Sequence, residues 1–194
     1  LIAAFGCQIF RLFTYGGMYL VCNSNLLYHA SVPLNEDGSF KHVNICGKEY
    51  WGKNLLDKID QLIRTAYFDE DDEEEKRFAM DYIWYLWCGP DAPSFDKDKM
   101  ATFERYFIAD KSLHKETKGY YYALRNKEEI CDRILEEFGV TGQHTHIING
   151  HVPVKTIKGE QPMKAGGKLL VIDGGFSKAY QPETGIAGYT LVYH

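Results

Sequence analysis

Residues 147–153 read Ile-Ile-Asn-Gly-His-Val-Pro. Two β-branched residues and an asparagine mark the end of a strand, Gly150 permits a close backbone approach, and Pro153 ends regular pairing. His151 therefore stands just past a strand end. An earlier stretch has the same build: Asn25-Leu26-Leu27-Tyr28 is an apolar strand, His29 follows it, and Ala30-Ser31-Val32-Pro33 turns the chain away. In α/β proteins the carboxyl ends of strands border the ligand crevice, so both imidazoles can reach one site. Neutral imidazole is a common ligand of divalent manganese, iron or zinc, which makes the pair a candidate half of a metal site. Either histidine alone is more often a hydrogen-bonded structural residue, and their similar contexts improve the odds only modestly.

Working outward, Met18 to Cys22 and Leu26 to His29 flank Asn23-Ser24-Asn25, a strand-turn-strand hairpin. Residues 1–15 read as the end of a helix stopped at Gly16-Gly17. Pro33 to Gly38 has the composition of a turn, and a short strand is expected near Phe40 to Ile45. From Gly52 to Tyr67 the residues Leu55, Leu56, Ile59, Leu62 and Ile63 recur at helical steps, predicting an amphipathic helix. A second helix is expected from Asp72 to Leu86. The acidic run Asp69 to Glu75 fits its solvated, dipole-favoured start better than an ion site, since adjacent carboxylates on a helix diverge. Trp87 to Phe95, with Gly89, Pro90 and Pro93, reads as irregular. Further helices are expected at Met100 to Ala109 and at Lys127 to Phe138, the latter ended at Gly139. Strands are expected at His146 to Ile148, Leu169 to Ile172 and Tyr189 to Tyr193, giving an α/β chain without internal repeats.

At 194 residues the chain is long enough for a substantial core, and one domain, or part of one, is the default. Its formal net charge is -5, with lysines and arginines scattered rather than clustered, which argues against nucleic acid as a partner. The five cysteines, Cys7, Cys22, Cys46, Cys88 and Cys131, form no C-x-x-C pair and fit reduced thiols of the cytoplasm. No window approaches the roughly 20 apolar residues of a membrane span. The chain opens at Leu1 without methionine and closes on Leu191-Val192-Tyr193-His194, a strand still running, so both ends are expected to be cut points.

Longer strings carry more than the histidines. In order, Asn25 to His29, Leu86-Trp87-Cys88-Gly89-Pro90, Asn149 to Val154 and Ile172-Asp173-Gly174-Gly175-Phe176 resemble the later motifs of the calcineurin-like metallophosphoesterases. More closely, Thr102-Phe103-Glu104-Arg105-Tyr106-Phe107-Ile108, Gly174 to Gln181 and Thr184 to Leu191 resemble the class 3 fructose-1,6-bisphosphatases, over nearly the whole chain. The resemblance implies a calcineurin-like layered sandwich, sheets inside and helices outside. Residues 1–194 would supply the later strands and helices of a single catalytic domain. It implies hydrolysis of the 1-phosphate of fructose 1,6-bisphosphate by a pair of divalent metals, manganese or magnesium, bridged by an aspartate and a hydroxide that attacks phosphorus in line. The partner would be a small sugar bisphosphate, with homo-oligomerisation left open.

By position, the resemblance makes His29 and His151 ligands of one metal. The remaining donors would come from Asp-x-His, Gly-Asp and Gly-Asn-His motifs, none of which occurs here, so these residues alone are not expected to be a competent phosphatase. Lys97 and Lys99 fall near the place where phosphoprotein phosphatases carry a phosphate-binding arginine. With Arg105 and Lys178 they are candidate substrate contacts, weighed against the ordinary solvated lysine. Asp173 is either an acceptor orienting a histidine or a turn residue before Gly174-Gly175. His144 and His146 have a ligand-like spacing but read as structural, and His42, His114 and His194 have no supporting context. Another phosphoesterase of the same superfamily, on a phosphoprotein or dinucleotide, and a non-catalytic regulatory or assembly module are the alternatives.

Overall fold

The computed structural model describes residues 17–69 and 72–192. In chain order the elements are β1 (Tyr19–Cys22), β2 (Asn25–Tyr28), β3 (Val43–Ile45), β4 (Lys48–Tyr50), α1 (Gly52–Phe68), α2 (Glu73–Cys88), α3 (Thr102–Phe107), α4 (Tyr120–Leu124), α5 (Glu128–Glu137), β5 (His146–Asn149), β6 (Met163–Lys164), β7 (Leu169–Val171) and α6 (Gln181–Thr184), joined by short 3-10 turns. They fall into two compact units, one built on Pro33–Tyr121 and the other on Tyr19–Val32 with residues 122–192. The class is mixed α/β, as the sequence predicts.

The second unit holds a five-stranded mixed sheet in the order β1-β2-β5-β7-β6. β1 and β2 form the expected hairpin. Asn23 (φ 50°) and Ser24 (φ 60°) turn the chain through the left-handed region, and the Asn25 side chain donates to Asn23 O at 2.9 Å. Turns with positive φ at both central residues match the twist of the flanking strands. β2, β5 and β7 run parallel. Leu26, Ile147 and Leu169 pair in register across these three strands, each with 0% exposure, so a continuous apolar row fixes the register. A slip of one residue would turn that row outward. The helix α5 presents Ile130, Ile134 and Leu135 to the interior, and Phe138 beyond it meets the Tyr19 ring edge-on at 4.8 Å.

In the first unit, α1 buries Leu55, Leu56, Ile59, Leu62 and Ala66 and packs on α2, which contributes Ala79 and Leu86. The recurrence at three and four residues is the cause of that buried stripe. Asp72 caps α2, its carboxylate accepting from the amides of Glu74 and Glu75 at 3.0 and 2.9 Å. Asp72 to Glu75 thus form the helix start that their position suggested, whereas Asp69 is the C-cap of α1 and its Oδ1 accepts from the Asp72 amide at 3.3 Å; Glu70 and Asp71 lie outside the described residues. β3 and β4 form a second hairpin, turned at Cys46 and Gly47.

Several expectations need correction. Residues 189–192 are not in a strand; Gly188 makes an isolated bridge to Asp173 and the Tyr189 amide donates to Ile172 O, after which no ladder continues among the described residues. Tyr193, like the helix expected over residues 1–15, lies outside the described residues. Trp87 and Cys88 belong to α2 rather than to the irregular stretch, because Gly89, whose amide closes on Tyr85 O, is the C-cap. Phe40 is not part of β3 but bridges Leu34 across the Asn35–Ser39 turn.

Candidate metal centre

The parallel strands β2, β5 and β7 end side by side, and the residues just beyond them are His29, His151 and Asp173. The ladder continues one step past the strands: the Gly150 amide donates to His29 O at 2.9 Å and the Ile172 amide to Asn149 O at 2.9 Å. The Val154 amide reaches Asp173 O at 2.7 Å. Carbonyl positions are therefore set by the sheet, and the side chains leave from its carboxyl edge.

His29 Nε2 and His151 Nδ1 stand 3.1 Å apart, with ring centroids 5.0 Å apart at 66°. Two nitrogens that close either share a proton or direct their lone pairs at a common cation. Nitrogens each about 2.1 Å from one ion, at angles between 90° and tetrahedral, stand about 3.0–3.4 Å apart, so the pair fits as two donors of a single metal site. Among the described residues no group of three or more histidine, cysteine or carboxylate side chains could hold a metal. The pair is thus at most part of a donor set.

Backbone conformation marks the same spot. His151 has φ 63°, which a non-glycine residue adopts only at a cost, and such outliers concentrate where geometry serves a site. A Cβ added at Gly150, just before it, would make ordinary contacts with Asp173 Cβ at 3.4 Å and His29 O at 3.8 Å, so the three strand ends lie within van der Waals reach of one another. Burial lowers the pKa of His29 below its ordinary value, and the nearby Asp173 charge opposes that shift without cancelling it. His29 is exposed on one side all the same. A lowered pKa favours the neutral imidazole, the form that ligates metals.

Asp173 serves the turn: its Oδ1 accepts from the Gly175 amide at 2.7 Å, and it acts on His29 through charge. Lys178 is exposed and makes no ion pair among the described residues. Lys97, Lys99 and Arg105 belong to the first unit. Lys97 Nζ lies 2.9 Å from Glu116 Oε2 and 5.1 Å from the Phe95 ring centroid, and Arg105 Nη2 lies 3.4 Å from Glu116 Oε1. Both cations are held by one carboxylate, while the Lys99 charge lies near Asp98. His146 donates from Nδ1 to Gly167 O at 2.9 Å, a structural role as expected, and His144 lies outside the strand. His42 bonds Glu49 at 3.0 Å and stacks on Trp51, and His114 bonds Ile108 O at 2.9 Å.

Asn149, legible as a strand residue and as the start of the Asn149 to Val154 stretch, is 2% exposed and its Nδ2 donates to Ala30 O at 3.1 Å. It ties the segment after His29 to the end of β5. An amide side chain inside an otherwise apolar strand was the available signal.

The fold and its edge define a mixed α/β protein with a two-imidazole cluster at the carboxyl ends of adjacent parallel strands. The family described as Firmicute fructose-1,6-bisphosphatase matches residues 5–194, and the chain belongs to that family. A class 3 fructose-1,6-bisphosphatase of Bacteroides thetaiotaomicron is 82% identical over 94% of this chain and 28% of its own length. Those of Phocaeicola vulgatus and Clostridium tetani are 70% and 61% identical, again over 94% of this chain and 28% of theirs. The chain thus spans between a quarter and a third of the length of the curated relatives it matches. No solved structure matches it. Among the described residues no helix is long and apolar enough to cross a membrane.

Proposed function

We propose that this chain serves, within a protein of its relatives' length, as the later part of a calcineurin-like metallophosphoesterase domain. That domain hydrolyses the 1-phosphate of fructose 1,6-bisphosphate, a gluconeogenic reaction of the cytoplasm. The observation that carries the proposal is the approach of His29 Nε2 to His151 Nδ1, 3.1 Å, at the ends of paired parallel strands. A divalent pair, manganese first and magnesium second, would supply Lewis acidity at the phosphoryl oxygens and a hydroxide nucleophile near neutral pH. His29 and His151 would present neutral imidazole to one of the two ions. Asp173 keeps the turn beside them in place and adds negative charge at His29. Lys97, Lys99, Arg105 and Lys178 are the proposed phosphate contacts. Lys99 and Lys178 come first, because Lys97 and Arg105 are engaged with Glu116.

The test is turnover by the full-length protein, loaded with manganese, on fructose 1,6-bisphosphate, a phosphopeptide and a dinucleoside tetraphosphate. The expected preference is for the sugar bisphosphate. Faster turnover of either other substrate would overturn the substrate assignment, and no metal-dependent activity on any of the three, in a folded protein, would leave a non-catalytic module.

A further inference from the structure

Arg125 lies in the turn between α4 and α5 and is 8% exposed. Its guanidinium carbon stands 5.2 Å from the Tyr122 ring centroid, a cation-π contact that fixes the plane but offers no hydrogen-bond acceptor. Among the described residues Nη1 is buried with no hydrogen-bond partner, and no carboxylate forms an ion pair with Arg125. The two acids nearest in sequence are turned elsewhere: the Glu128 carboxylate lies against Gly166, and Glu129 is exposed. A guanidinium cannot shed its proton to escape burial, so an unpaired one is costly and calls for an anion.

The surroundings offer a second donor set. α5 is ten residues long, and no side chain caps it; its N-cap is Lys127. The first amides of such a helix point outward with the positive end of the dipole behind them. Burial pushes the Cys131 thiol up to about 12, with the Asp132 and Glu128 charges adding to the rise and those of Lys168 and Arg125 opposing it. Cys131 also donates from Sγ to Arg125 O at 3.3 Å, which fastens the turn to the helix.

We propose that Arg125 anchors an oxyanion site, completed by the first turn of α5, that takes a phosphoryl group. The planar fork of arginine matches two oxygens of a phosphate at once. The choice of a phosphoryl group among oxyanions rests on the phosphatase reading above.

The experiment uses the full-length protein and inorganic phosphate, with chloride at equal ionic strength as control, reading the thermal midpoint. Phosphate is expected to raise the midpoint of the wild type. Arg125→Met should weaken phosphate binding on the order of ten- to a hundredfold, the span of a charged hydrogen bond. If Arg125→Met does not fold, Arg125→Lys, which keeps the charge and loses the fork, is expected to bind phosphate several-fold more weakly. A wild type indifferent to phosphate, or a folded variant that responds like it, overturns the site. KM for fructose 1,6-bisphosphate then tells the sources apart: a raised KM in the variant means that the phosphoryl group is the substrate's, and an unchanged KM means a separate phosphate ligand. Phosphate stabilisation that depends on Arg125 in a protein without fructose-bisphosphatase activity would defeat the proposed function and leave this site standing.

Discussion

His29 and His151 reach each other because one backbone step past β2 and two past β5 bring their rings to the same edge. Under the proposed function, His29→Ala or His151→Ala in the full-length protein is expected to lose bound manganese and nearly all turnover while the fold persists. Wild-type metal content in either purified variant would contradict that. The turn after Asp173 is the other sensitive point. A Cβ at Gly174 would come to 2.7 Å from Gly188 N, 2.8 Å from Ala187 C and 2.8 Å from Ile186 O, all backbone that cannot swing aside. Gly174→Ala should therefore destabilise the protein by about 1–3 kcal/mol, the usual range for overpacking. Urea denaturation measures it, and a stability equal to wild type would show that the two segments can separate freely.

α2 and its neighbours show how local chemistry sets element boundaries. The Asp72 carboxylate holds two of the orphan amides of α2, so Asp72→Ala is expected to cost about 1 kcal/mol in chemical denaturation. An unchanged midpoint would mean that the acids following it suffice. Around α3, Glu116 gathers Lys97, Arg105 and the Ala101 amide. Burial alone would raise its carboxyl, but the Lys97 and Ala101 hydrogen bonds and the Lys97 and Arg105 charges outweigh burial and hold it below the ordinary value. A carboxyl lowered in the folded state adds stability above its unfolded pKa, about 4.3, and that increment is lost as pH falls through the lower folded value. The stability gap between wild type and Glu116→Gln should thus be open at pH 6–7 and close below about pH 4. A gap constant across that range would point to packing instead of charge.

Across the whole molecule the two compact units each have a core of their own. Leu26, at 0% exposure in the sheet, and Leu55, at 1% on α1, are the matched probes. Each Leu→Ala is expected to cost about 2–5 kcal/mol, read from denaturant midpoints. A cost under 1 kcal/mol at either position would mean that its core refills the space. Helical periodicity made α1, α2 and α5 legible to within about two residues of the observed ends, because an amphipathic stripe is a local record of burial. β4, β6, α4 and α6 were not legible, being two to five residues long and without a period to read. The strand expected at Tyr189 to Tyr193 was overcalled: aromatic and branched residues fit a strand there, but propensity cannot supply the neighbour that a ladder requires.

The sequence by itself determined the α/β class, the hairpin before His29, the strand-end placement of both histidines and the family. It could do so because apolar periodicity, turn residues and shared motifs are local properties. Only the tertiary structure decided that nitrogens of the two rings meet at 3.1 Å, that Glu116 holds Lys97 and Arg105, and that Arg125 Nη1 is buried without a hydrogen-bond partner among the described residues. Each of these depends on which distant segments become neighbours. For the histidines, strand order and register set that across a sequence separation of 122.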